Sequence, residues 1–241
     1  MITLRQFTVA RVGLGRAGNS LPTAALLDFR LAHARACDAV HSPFDVQSLL
    51  LDVRHLGLET VAVESVVHDR TEYLRRPDRG RRLRAASLGS LEAQAADYNL
   101  AFVIADGLSP VAVVRHAAPV LKLVSGELLR EGWSIAPVVV VKGGRVAIGD
   151  EIGAALGARL VVVLIGERPG LSSPDSLGIY ITWNPIPGRT DAERNCISNV
   201  RPDGLSCEAA AFKLLFVARE ARRLKLTGVR LKDDTARLLG T

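Results

Sequence analysis

Apolar positions in this chain follow one pattern before residue 98 and another after it. In the first stretch, Leu21, Ala24, Ala25, Leu27, Phe29, Leu31 and Ala32 recur at helical spacing, which predicts a helix over 21–40. Ser20 stands where an N-cap is expected, with Pro22 in the first turn. Pro43 separates a second segment around Gln47–Leu51. The β-branched residues of 60–68 predict a short strand, and a further helix is expected from Pro77 to Asp97.

Beyond residue 98, continuous apolar runs alternate with amphipathic segments. Leu100–Ala105 reads as a buried strand. Ser109 and Pro110 mark the start of a helix that reaches Arg130, where Gly132 stops it. Pro137–Val141 is the next strand and Lys142–Arg145 a turn. Val146–Ile148 reads as a short return strand or extended segment, before a short helix beginning at Gly149 or Asp150. Arg159–Ile165 and Leu177–Trp183 are further strands, and Ser206 caps a last helix ending near Leu224. This alternation predicts an α/β fold: a three-layer, Rossmann-like, mostly parallel sheet with a smaller, mainly helical N-terminal region. The expected division is 1–97 for the helical, partner-contacting region and 98–241 for the Rossmann-like domain.

With 241 residues, 48% of them hydrophobic, the chain can bury a sizeable core. No apolar run is long enough to predict a membrane span, and Met1–Val9 lacks the features of a signal peptide. The three cysteines, Cys37, Cys196 and Cys207, lack metal-binding spacing and are expected to be reduced, in a cytoplasmic protein. The net charge is +6, and its densest basic run is Arg75–Arg84. That run suits a partner or phosphate surface. Nucleic acid is disfavoured, because no aromatics interleave with the arginines.

Chemistry in such folds gathers beyond the C-terminal ends of the strands. Neither a dinucleotide fingerprint nor a phosphate-binding P-loop is present there. Asp106, after the first long strand, is either a turn residue or a site residue. Gly143–Gly144–Arg145–Val146 is either a hairpin joint or a place where backbone approaches a ligand. Glu167–Arg168–Pro169–Gly170 leaves a hydrophobic strand with a carboxylate and a guanidinium together. Asp191–Asn199 is a polar cluster around Cys196. All five histidines lie within the first 116 residues, and none offers a recognisable base to Cys196. The residues therefore predict no catalytic group and no metal site, and fit the ligand-binding part of a larger enzyme.

Taken in order, several segments resemble the small (light) subunit of adenosylcobalamin-dependent ethanolamine ammonia-lyase. They are Thr8–Val12 with Gly15–Gly18, Tyr73–Asp78 with Gly80–Leu83, Asp106–Ser109, Gly144–Val146, Gly166–Leu171, Cys196–Asn199 and Glu208–Ala211. The resemblance implies a carbon–nitrogen lyase that is active only with a large subunit. That subunit is a TIM barrel holding ethanolamine for radical conversion to acetaldehyde and ammonia. It implies adenosylcobalamin between the subunits, contacted here by the backbone of Val146, by Glu167 and by Cys196. Arg145 and Arg168 are secondary candidates, and the arginine run becomes a large-subunit interface. A hetero-oligomer without nucleic acid or membrane contact is expected. The short start before Thr8 makes a protein-shelled microcompartment the less favoured location. The rival reading is a corrinoid-binding or structural partner of a different enzyme.

Overall fold

In a computed structural model of the chain, residues 6–8 and 10–235 are described. Most of the stretch Met1–Val9 and the last residues of the 98–241 domain lie outside them. Six strands form one sheet in the order β1-β3-β2-β4-β5-β6. They are β1 (Thr60–Glu64), β2 (Tyr98–Ala105), β3 (Val138–Lys142), β4 (Ala158–Gly166), β5 (Leu177–Trp183) and β6 (Asn195–Val200). The first four are mutually parallel, and β5 and β6 continue the sheet antiparallel. The α/β, mostly parallel architecture is the one the alternation predicts. β1 comes from the stretch before residue 98, so one sheet spans the expected division.

Helices cover both faces. Strand residues of one parity (Leu100, Phe102, Ile104, Leu160, Val162, Leu164) pack on α2 (Val46–Arg54), α5 (Pro110–Arg130) and α7 (Cys207–Leu224). Those of the other parity (Ala101, Val103, Ala105, Val161, Val163) pack on α4 (Ala85–Glu92) and α6 (Ile148–Leu156). Period-two alternation thus divides a fully apolar strand between two cores, which is why β2 and β4 carry almost no polar residue. Ser109 and Ser206 cap α5 and α7 through the amides of Ala112 and Ala209, as expected. Gly132 follows α5 with φ +74°. Among the described residues no helix is long and apolar enough to cross a membrane.

Four local expectations are corrected. α1 (Thr23–His41) begins after Pro22, and Ser20 does not cap it: its amide and carbonyl pair with Ala17. The helix expected over Pro77–Asp97 is broken. α3 (Arg70–Arg75) ends ahead of Pro77, whose ring disfavours helix in the residue before it. A single 3-10 turn follows at Arg79–Arg81, then an extended passage, then α4. The extended passage is drawn to the sheet edge, where Val66 donates to the Arg82 carbonyl and Arg84 to that of Glu64. Val146–Ile148 is no return strand. β3 and β4 are parallel, so the chain needs a crossover rather than a hairpin. Ile148 and Gly149 donate to the Arg145 and Val146 carbonyls as the chain winds into α6, which starts at Ile148 rather than at Gly149 or Asp150. The Asp191–Asn199 cluster holds β6, an edge strand with only Ile197 and Val200 buried.

Candidate functional site

β2, β3 and β4 end side by side, and their loops share one edge of the sheet. α5 leaves β2 toward one face and α6 leaves β3 toward the other, so a crevice opens between the two strand ends. Asp106 fills it. Its Oδ1 accepts the amides of Gly143 at 2.9 Å and Gly144 at 3.2 Å. Arg70 closes the other side, with Nη1 3.5 Å from Asp106 Oδ2 and 2.8 Å from the Gly107 carbonyl. Burial raises the Asp106 pKa to about 6, against the opposing pull of Arg70 and the glycine amides. Asp106 is thus committed to holding the glycine turn.

Beside this crevice lies a cleft of about 430 Å³ whose walls include Leu108, Arg145, Val146, Glu167, Arg168 and Tyr180. Four of the five expected cofactor residues therefore meet in one place. Glu167 stands at the end of β4, where its Oε2 accepts the Asn199 amide at 3.1 Å and the Ser176 hydroxyl. Its Oε1 takes no hydrogen bond among the described residues. Gly178 makes room for this side chain: a Cβ there would lie 3.1 Å from Glu167 Cγ. Val146 is half-buried, and its carbonyl accepts from Gly149 at 3.1 Å. Its own amide has no partner among the described residues. Among the described residues, the Val146 amide and Glu167 Oε1 are thus a backbone donor and a carboxylate acceptor at the cleft that the fold leaves open.

Cys196 lies on β6 opposite Tyr180 of β5, at the margin of the cleft. It is exposed, yet its thiol pKa is raised, first by desolvation and also by the Glu167 charge, against a hydrogen bond from Tyr180. A thiol held protonated suits a contact better than a nucleophile. Arg168 is exposed. Arg145 turns inward: Nη2 donates to the Tyr73 carbonyl at 2.9 Å, and its guanidinium lies 4.0 Å from the Tyr73 ring centre. A second cavity, of about 440 Å³, lies beyond Arg70 and Tyr73 and includes His41, His68 and Lys142. No group of His, Cys, Asp and Glu among the described residues could hold a metal ion.

Sequence reasoning passed over Tyr73 and Tyr180. Tyr73 stands two residues ahead of the arginine run and entered only as part of a family-like segment, with no role of its own, and the isolated Gly178 within a strand was the available sign of a close approach. The run itself is largely spent internally. Arg76 pairs with Asp78, Arg79 with Glu72, Arg82 with Glu151 and Arg84 with Glu64.

The family model for the ethanolamine ammonia-lyase light chain (EutC) matches residues 1–232. The chain belongs to this light-chain family. Among curated relatives, the ethanolamine ammonia-lyase small subunit of Azotobacter vinelandii is 56% identical over 243 residues, covering 98% of this chain and 90% of the relative. The small subunit of Pseudomonas paraeruginosa is 56% identical over 237 residues, covering 97% and 87%. That of Pseudomonas fluorescens SBW25 is 53% identical over 237 residues, covering 97% and 86%. The matched stretch, residues 1–232, includes both the sheet and the strand-end loops that line the cleft.

Proposed function

We infer that this chain is the small subunit of an ethanolamine ammonia-lyase and works as a hetero-oligomer with a large subunit. The observation that carries this reading is the match to the light-chain family along residues 1–232. The chain is the cofactor-holding component of the lyase and contributes no catalytic side chain of its own. Adenosylcobalamin, when bound, supplies the radical chemistry by which ethanolamine becomes acetaldehyde and ammonia.

The cleft's donor set fits that group. A corrinoid rim carries primary amides, each both donor and acceptor. The open Val146 N–H would meet an amide oxygen, and the free Glu167 Oε1 an amide N–H. Cys196 would add a small polarizable contact. Arg168 is placed to reach an outer polar group. Arg145 contributes through the backbone it holds. Together these residues would orient the cofactor and close one side of its site against water.

The helical stretch 1–97 is the part we assign to contact with the large subunit. Its support is the row of exposed apolar side chains on α1, including Leu27 and Leu31. The cytoplasm is the location that fits an enzyme of a small, water-soluble amine.

Ammonia release from ethanolamine with adenosylcobalamin, using the large subunit of the same organism, tests the reading. Activity is expected only when both chains are present. A folded complex without activity would favour the alternative, a corrinoid-binding or structural partner of a different enzyme.

A further inference from the structure

The turn that presents Val146 is held by Asp106 and Gly80 from outside the cleft and by Tyr73, whose ring also forms part of the cleft wall. Asp106 takes the Gly143 and Gly144 amides. The hydroxyl of Tyr73, a side chain almost wholly buried, donates to the Gly144 carbonyl at 3.0 Å. The Arg145 amide donates to the Gly80 carbonyl at 2.7 Å. The Arg145 side chain then folds back, stacking on the Tyr73 ring and bonding the Tyr73 carbonyl. Gly80 is tight against this packing: a Cβ there would lie 2.8 Å from Arg145 Cγ and 3.1 Å from the Gly143 carbonyl oxygen. Every polar backbone group from the Gly143 amide to the Arg145 amide that could swing toward the cleft is engaged, except the Gly143 carbonyl packed near Gly80. The next amide, that of Val146, is the open one.

We propose that Tyr73, with Gly80 as its backing, is a positioning residue for the cofactor: it clamps the Gly143–Arg145 turn so that the Val146 N–H is aimed into the cleft. This rests on the assignment of the cleft to the corrinoid. It gives Tyr73–Leu83 a role separate from surface charge, since the segment braces the cofactor loop from behind. Tyr73 lines the inner wall of the cleft, but its one polar side-chain atom is spent on the Gly144 carbonyl, so its part is to hold the turn. Its effect travels through one hydroxyl and one stacked guanidinium to a backbone amide.

Fixing a donor in advance lowers the cost of ordering it on binding. Loss of the clamp should therefore weaken cofactor capture and leave ethanolamine recognition alone. The experiment uses the complex with the large subunit and compares Tyr73→Phe, Gly80→Ala and Glu167→Ala. For each, KM is measured separately for adenosylcobalamin and for ethanolamine, with circular dichroism and co-purification recording folding and assembly. Tyr73→Phe keeps the ring beneath Arg145 and removes only the hydroxyl, so a folded variant is expected. Cofactor KM should rise about fivefold in Tyr73→Phe, the size expected for one lost hydrogen bond. Gly80→Ala should raise it by pushing the turn, and ethanolamine KM should stay unchanged in both. A general loss of stability would instead reduce the amount of active complex without this split. If Glu167→Ala raises the cofactor KM while Tyr73→Phe and Gly80→Ala stay within about twofold of the parent, the smallest change such a contact would give, the clamp is overturned and the cleft assignment stands. If none of the three moves it, the cleft assignment falls and takes the clamp with it.

Discussion

A single buried carboxyl illustrates how this site is built. Asp106 holds two glycine amides in the crevice where an open α/β sheet commonly takes its ligand. Its pKa, raised from 3.8 to about 6 by burial, means the folded chain binds this proton more tightly than the unfolded chain does. The sign follows directly. This group's contribution to stability is greatest below pH 4 and declines as pH rises from about 4 to about 6, because the charged form is the one penalised by burial. Asp106→Asn keeps an oxygen for the glycine amides and cannot titrate. The stability of the parent relative to Asp106→Asn should therefore fall by ~2 kcal/mol between pH 4 and pH 6.5, read from urea denaturation at each pH. A difference that stays flat would mean that the carboxyl is not desolvated as described.

At the level of elements, close packing of the strand-end loops sets what each position tolerates. Gly107 has φ +59°, and a Cβ there would overlap the Gly166 carbonyl oxygen, where β2 and β4 deliver their loops side by side. Gly107→Ala should cost more than ~2 kcal/mol, from the left-handed backbone and the clash together. Gly126, exposed on α5 with open space around it, should instead gain ~0.5–1 kcal/mol as alanine. Denaturation midpoints of the two variants should move in opposite directions. The Asp150–Arg194 pair ties α6 to the start of β6 at 2.6 Å, with both side chains buried. Arg194→Met strands the carboxylate and should cost ~3–5 kcal/mol by the same measurement. These elements also mark what the sequence made legible. β2, β4, α5 and α7 were readable because continuous apolar runs and serine caps are local signals. β6 was not, since an edge strand buries little and its polar residues look like a loop. The broken passage over 77–97 was hidden because the pull on it comes from the sheet edge at 64–66, far away in sequence. Loops carrying Val146, Glu167 and Arg168 were found from their strands, whereas Tyr73 reaches them only through tertiary packing.

In the whole molecule, the sheet and five of its helices form two well-filled cores, while α1 lies largely outside both. Only Ala32 and Ala39 of its nineteen residues are buried. Leu27 and Leu31, one helical turn apart, are 57% and 51% exposed. A monomer has no use for such a helix face, but a subunit that works only against a larger partner does, because apolar side chains gathered on one element supply the anchor of an interface. The double substitution Leu27→Glu with Leu31→Glu separates the two uses. Neither side chain supports the fold, so the isolated chain should keep its thermal midpoint, with a change in stability below ~0.5 kcal/mol. Placing two carboxylates in a desolvated interface should weaken binding to the large subunit by at least about tenfold, given the cost of burying unpaired charge. Analytical ultracentrifugation of the mixed chains would show the complex dissociating at concentrations where the parent remains assembled. Lyase activity should then recover at high concentrations of the variant chain, because the cleft at the ends of β2, β3 and β4 is untouched. Assembly indistinguishable from the parent would remove α1 from the interface and leave its exposed leucines without a role in the complex.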